Sequence, residues 1–296
     1  SRSVDRMSWR TVVVASSAKL DYQLGYLVVR KEDVTKIHIN EIAMVIIEST
    51  AVSLTAALLS EMMKRKIKVI FCDEKRNPSS ELIPYYGSHD TSIKIKNQID
   101  WSAEIKEAVW TEIVTEKIRK QAEHLRYWNR QEADMLEQYI GEIEFGDVTN
   151  REGHAAKVYF NALFGMDFTR TAENNVNAAL NYGYGILLST FNREIVANGY
   201  ITQIGLFHNN MFNQFNLGSD LMEPFRPIVD LWVKNMRLDT FEHAEKMEIL
   251  RMLQKEVLIA GRKEYVSNAI KIYCKSIFDA LSDKDTSLIK FYGNEL

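Results

Sequence analysis

Cysteine is scarce in this 296-residue chain: only Cys72 and Cys274, far apart and beside apolar residues. Two such thiols exclude a disulfide framework and read as the buried, reduced thiols of a cytoplasmic protein. Proline is scarcer than usual at 4 residues, and no repeat or low-complexity stretch interrupts the chain, which excludes extensive disorder and solenoid architectures. Long hydrophobic runs are missing: Ala43-Met44-Val45-Ile46-Ile47 is among the longest and is far too short to span a bilayer, and no signal peptide is visible. A membrane partner is therefore not expected. Positive charge is not in excess either. With a formal net charge of −3 and a pI near 6.1, a nucleic-acid partner would need a local basic patch. Finally, no Ser/His/Asp or Cys/His set can be placed for covalent catalysis.

What is present is ordinary in amount: 46% hydrophobic and 26% charged residues, enough for two domains with their own cores. Residues 1–6 precede Met7, the expected native start, and read as a cloning remnant. From there to about residue 90 the pattern predicts strands with one helix. Trp9–Ala15 and Leu24–Arg30 are rich in Val, Tyr and Leu; Thr35–Asn40 alternates around Ile37 and Ile39; Ala43–Ile47 is a buried run. Leu54, Leu58, Leu59, Met62 and Met63 recur at helical spacing behind Ser53, so 53–66 is expected to be a covering helix before a strand at Lys68–Cys72.

Past Gly87-Ser88-His89-Asp90 the character turns helical. Ile105, Val109, Ile113, Ile118, Ala122 and Leu125 predict a long amphipathic helix. Further helices are expected over 151–164 before Gly165, 174–198 before Gly199, 228–238, and 241–281 with a break near Gly261. The fold class predicted is α+β: a small β-rich N-terminal domain over 7–90, followed by a larger all-helical C-terminal domain over 91–296. The small sheet's exposed strand edges would be covered by dimerisation.

Between Thr149 and Asp230 lie Glu152, His208, Asp220 and Glu223, the oxygen and nitrogen donors that a hard or borderline divalent ion such as Mg²⁺ or Mn²⁺ takes. They are dispersed, and no compact ligand motif joins them. Each has a plain structural reading. Thr149-x-x-Glu152 fits a capping box, a lone His208 fits a packing role, and Asp220 and Glu223 fit the first turn of a helix. Glu223 precedes Pro224, which biases its backbone toward an extended or turn conformation. His154, two residues past Glu152 and about 200° around a helix, is at most a supporting residue. Gly183 and Gly185 read as close helix packing, since no strand precedes them to make a phosphate loop.

The runs Asn150-Arg151-Glu152-Gly153-His154-Ala155-Ala156, Leu180-Asn181-Tyr182-Gly183-Tyr184-Gly185, His208 and Asp220-to-Pro227 resemble the hallmark segments of the CRISPR-associated integrase family, the universal spacer-acquisition nuclease. The resemblance covers nearly the whole chain and is nearest to members of type II systems. It implies a metal-dependent DNA endonuclease and integrase with Glu152, His208 and Glu223 as catalytic metal ligands, Asp220 as the neighbouring acid, and Mg²⁺ or Mn²⁺ as cofactor. It implies as partners double-stranded DNA (the prespacer fragment and the CRISPR repeat), a second copy of the chain joined through the β-rich domains, and a small ferredoxin-like adaptation protein bridging two dimers. The type II effector nuclease and a ring-forming accessory protein would be further associates. Arg226 near the ligands is a candidate DNA contact, equally able to pair with a carboxylate, and the cluster Lys64, Arg65, Lys66, Lys68, Lys75 and Arg76 is a candidate phosphate-contacting face whose plain reading is a solvated charged helix end. Tyr127 and Trp128, flanked by Arg126 and Arg130, could stack on bases or pack between helices. The rival reading is a noncatalytic DNA-binding scaffold of a CRISPR adaptation complex.

Overall fold

The structure is a computed structural model that describes residues 4–8 and 11–294. Trp9 and Arg10 of the expected first strand lie outside the described residues. The chain divides into two compact units, Ser1–His89 and Asp90–Leu296.

In the first unit β1 (Val4–Ser8), β2 (Thr11–Val14), β3 (Ala18–Gln23), β4 (Tyr26–Arg30), β5 (Val34–His38), β6 (Met44–Ile47) and β7 (Val52–Leu54) precede α1 (Ala56–Lys64), β8 (Lys68–Cys72) and β9 (Pro78–Leu82). They form a five-stranded sheet in the order β1-β2-β6-β8-β9 and a four-stranded sheet in the order β5-β4-β3-β7. The parallel β2, β6 and β8 are the Val- and Ile-rich runs, in register as Val12↔Val45 and Val45↔Val69. Alternate residues of both sheets (Val12, Val45, Leu20, Val29) meet Leu58 and Met62 of α1 in one core. Thr55, rather than Ser53, caps α1, its Oγ1 accepting from the Leu58 amide at 3.3 Å. Leu24 was expected in a strand but forms a two-residue hairpin turn with Gly25, both at positive φ (46° and 85°), leaving Leu24 96% exposed. The β3 that precedes it carries Lys19, Asp21 and Gln23 among its six residues, which hid it from a search for apolar runs.

The second unit is mostly helical: α2 (Thr91–Ile99), α3 (Ala103–Tyr127), α4 (Glu132–Gly141), α5 (Arg151–Phe164), α6 (Asn175–Ala197), α7 (Asn216–Leu221), α8 (Arg226–Lys234) and α9 (His243–Leu250). The hairpin β10 (Glu256–Ile259) and β11 (Arg262–Tyr265) follows, then α10 (Val266–Asp283). The hairpin corrects the expectation of an all-helical unit and of a helix over 241–281. Glu256-Val257-Leu258-Ile259 alternates exposed and buried, and Ala260-Gly261 at positive φ makes the turn. Among the described residues no helix is long and apolar enough to cross a membrane.

At the core of this unit is α3, whose far half is largely buried apart from Arg119, Glu123, Arg126 and Tyr127. Glu116, Lys117, Lys120, Gln121 and His124 are as buried as Ile113 and Ile118. The helix is therefore not the simple amphipathic element its apolar spacing suggests; it carries a buried polar stripe.

Gly183 lets α6 and α8 approach each other. A Cβ there would lie 2.5 Å from Val229 Cγ1, whereas one at Gly185 would meet open space. Gly183→Ala is expected to destabilise by about 1–3 kcal/mol through overpacking. Gly185→Ala should instead stabilise by roughly 1 kcal/mol, the helix penalty of glycine. Urea unfolding of the two variants should give opposite signs.

Candidate active site

Helix α5 begins where the sequence predicts, but a different pair of residues caps it. Asn150, at φ 54°, accepts from the Gly153 amide at 3.2 Å. The buried Asp147 accepts from the Arg151 and Glu152 amides at 2.8 and 3.1 Å. The Thr149 hydroxyl is buried without a hydrogen-bond partner. The capping box predicted from Thr149 and Glu152 is thus not formed, and the Glu152 carboxylate is released from the helix end.

That carboxylate turns to α3, where the Lys117 ammonium bridges Glu152 Oε1 and Glu223 Oε2. Glu223 opens a single 3-10 turn, Glu223–Phe225, between α7 and α8, so its pre-proline bias resolves as a turn. Its other oxygen lies 3.1 Å from Arg226 Nε, and the Arg226 guanidinium sits over the Tyr184 ring at 4.8 Å. Side-chain exposure grades across the group, from 5% at Glu223 and 8% at Lys117 to 23% at Glu152 and 39% at His208, so solvent reaches it from the Glu152 and His208 side. Burial opposes the Lys117 charge, but Glu223 and Glu152 overcome it and hold its pKa above the ordinary value. Burial likewise opposes the Glu223 charge, and Arg226 and Lys117 carry its pKa below the ordinary value.

His208 is held by Asp220. The fully buried Asp220 accepts from the backbone amides of Leu206, Phe207 and His208 at 2.6, 3.0 and 3.1 Å, and from His208 Nδ1 at 2.5 Å. A carboxylate only accepts, so Nδ1 carries the proton and the lone pair of the neutral ring is at Nε2. The Asp220 bond, foremost, raises the His208 pKa, burial works against it, and the charges of Glu223 and Glu152 add to it. Both carboxylates therefore lie within electrostatic reach of the imidazole. Trp110 of α3 stacks on Phe207 (4.6 Å, 3° between planes) and meets His208 edge-on at 5.9 Å. The irregular segment after α6 is tied down by Gln98, bonded to Ile201 and Ile204, and by Asn216, bonded to Gln203 and Asn210.

Asp230 lies beneath this group, accepting hydrogen bonds from Tyr184 and Tyr159, whose hydroxyl also meets His124 Nδ1 at 3.3 Å. Burial lifts Asp230 to about 6 against those two bonds, and burial, with Lys255 and Lys120, lowers His124 to about 3. Asp230 thus binds its proton more tightly folded than unfolded. Its contribution to stability is complete below its ordinary 3.8 and is lost as pH rises through about 6, a span worth about 3 kcal/mol. The stability difference between Asp230→Asn and wild type should move in the variant's favour by about 1.5 kcal/mol from about pH 5 to about pH 7.5, with His124 common to both. An unchanged difference in urea unfolding would refute this.

The remaining candidates are placed as follows. Lys64 and Arg65 pair with Glu61, at 3.2 and 3.6 Å, and Arg76 lies 3.4 Å from Glu48 and 2.6 Å from the Ala15 carbonyl. Lys66 ends α1 at φ 56°. Arg126 is engaged by Asp134 and Glu137, while Trp128 packs under Lys234 and edge-on to the 71%-exposed Tyr127. His154 is exposed against Tyr139. Cys72 and Cys274 are both buried.

Two carboxylates that already share one cation, with an imidazole lone pair in their field, suit a divalent ion in charge and donor type. Among the described residues, no three His, Cys, Asp or Glu side chains are yet drawn close enough to hold an ion as they stand. Lys117, Asp147 and Asn150 were missed from the sequence. The usable signal for Lys117 was the polar stripe Lys117, Lys120, Gln121, His124 at helical spacing.

The fold is shared with solved structures. A Cas6-RT-Cas1–Cas2 complex superposes with a TM-score of 0.72 at 17% identity, covering 99% of this chain and 37% of that one. A casposase bound to integration product gives a TM-score of 0.75 at 18% identity, covering 94% and 93%. In sequence, a CRISPR-associated endonuclease Cas1 from Neisseria meningitidis serogroup C is 32% identical over 291 residues, 96% of either chain. The profile described as CRISPR associated protein Cas1 matches residues 11–257, and the chain belongs to that family.

Proposed function

We propose that this protein is a divalent-metal-dependent DNA endonuclease and integrase that inserts spacer DNA into a CRISPR array. The observation that carries the reading is the convergence of Glu152 and Glu223, from α5 and the turn before α8, on one cationic centre in the electrostatic field of His208. Glu152, Glu223 and His208 Nε2 would hold Mg²⁺ or Mn²⁺, which when bound supplies polarisation of the scissile phosphodiester and stabilisation of charge on its oxygens. The chain's own part is positional. Asp220 fixes the imidazole tautomer, Arg226 braces Glu223, and both leave the Glu152 side open to substrate. The nucleophile in integration is the 3′-hydroxyl of the incoming fragment, and water takes its place in hydrolysis, so no covalent protein intermediate forms.

Inserting both ends of a fragment needs two such sites a fixed distance apart. A homodimer joined through the β-rich unit, bridged to another by a small ferredoxin-like partner, supplies them. That a Cas6-RT-Cas1–Cas2 complex shares this fold supports a Cas2 partner. A type II effector nuclease and a ring-forming accessory protein are the further associates, in the cytoplasm where array DNA lies. Arg226, Lys64, Arg65, Lys66 and Arg76 are the proposed phosphate contacts, each requiring exchange of its local partner.

One observation favours a noncatalytic scaffold: Lys117 and Arg226 already neutralise the two glutamates. A strand-transfer assay with partner protein, repeat DNA and labelled fragment separates the readings. Branched product that requires Mg²⁺ or Mn²⁺ supports the integrase, hydrolysed ends alone indicate a plain nuclease, and binding without either product indicates the scaffold.

A further inference from the structure

We propose that the Lys117 ammonium is a built-in placeholder for the divalent ion, holding Glu152 and Glu223 in position until the metal displaces it. This rests on the metal-dependent reading above. Lys117 stands on α3, is 8% exposed, and touches both glutamates at once. Glu152 forms its ion pair with Lys117, whereas Glu223 pairs with Arg226 as well. The two carboxylates come from elements separated in sequence and would repel each other if left alone. An ammonium between them removes that repulsion, and its single charge and tetrahedral donors make it a weaker counterpart of a divalent ion seeking the same oxygens.

Two consequences distinguish a placeholder from a structural ion pair. A site that becomes competent only when the ammonium has moved away binds with its affinity reduced by the fraction of time it is vacated. Removing the ammonium therefore tightens metal binding. The same removal leaves Glu152 without its ion-pair partner and close to Glu223, which keeps only Arg226, so the metal-free variant melts lower and gains more from metal than wild type does. A structural ion pair predicts lower melting alone.

The test is Mn²⁺ titration of the full chain, by calorimetry and by melting temperature, for wild type, Lys117→Gln and Lys117→Arg. The expected result is a Kd about tenfold lower for Lys117→Gln, with a larger Mn²⁺-induced rise in Tm, and no tightening for Lys117→Arg, which keeps the competing charge. Wild type that binds Mn²⁺ while Lys117→Gln binds it no more tightly overturns the placeholder and leaves the metal site standing. Wild type that binds no Mn²⁺ overturns both. If Lys117→Gln does not fold with or without Mn²⁺, a crystal of wild type with Mn²⁺ decides: Lys117 Nζ withdrawn from Glu152 and Glu223 upholds the inference, and Nζ still bridging them overturns it.

Discussion

Glu152→Ala is expected to abolish strand transfer, by on the order of 10³-fold or more, while the protein remains folded and bound to DNA. The magnitude follows from the several kcal/mol that a metal supplies to a developing phosphoryl charge, at about 1.4 kcal/mol for each factor of ten. The retention of fold follows from the local structure. Glu152 is the most exposed of the three buried-pair members, its helix end is capped by Asp147 and Asn150, and Lys117 keeps Glu223 as a partner. Removing Glu223 instead would take from Arg226 its paired carboxylate and leave Lys117 with Glu152 alone, so its loss of activity would be mixed with loss of structure. Strand-transfer rates paired with DNA-binding and circular dichroism on Glu152→Ala check this. Residual activity within tenfold of wild type would contradict it.

The second large effect is at Asp220, which touches nothing that reacts. Asp220→Ala would remove the acceptor of three part-buried backbone amides, each bond worth about 1 kcal/mol, so the loss of stability should be about 3 kcal/mol. It would also free the His208 ring to rotate or change tautomer, and loss of such an orienting partner costs about 10–100-fold in metal affinity or activity. Gly205 is tied to the same feature, since a Cβ there would lie 2.6 Å from Asp220 Oδ2 and from the His208 carbonyl. Both losses, read by unfolding and by metal titration, should appear together in Asp220→Ala. Activity loss with stability unchanged would show that Asp220 acts as a ligand rather than as the anchor of the His208 segment.

The candidate site illustrates what sequence can and cannot carry. Residue types and family resemblance singled out Glu152, His208 and Glu223, but their plain readings could be weighed only in three dimensions. The capping box at Thr149 and Glu152 is sound local chemistry, yet Asp147 wins the amides because it folds back from the preceding turn. Asp220 looked like a spare ligand; its three amide bonds depend on an irregular segment whose path no periodicity encodes. The polar stripe that holds Lys117 does not by itself signal burial, because a lysine between apolar helix positions ordinarily points to water, and only the packing of neighbouring helices around α3 buries it. The parallel strands β2, β6 and β8 were legible because burial on both faces leaves unbroken Val and Ile runs. The β10–β11 hairpin was not, because its four-residue strands sit between two true helices and Leu250, Leu253 and Val257 carry a spacing of three and four residues across the boundary.

The central claim is that one imidazole and two carboxylates of this chain hold a single divalent ion. Pulsed EPR of the Mn²⁺-loaded protein reads it directly. The account predicts a ¹⁴N coupling from one imidazole that disappears in His208→Ala, with Mn²⁺ binding weakened in Glu152→Ala. A Mn²⁺ signal without nitrogen coupling, or a coupling that survives in His208→Ala, would contradict it.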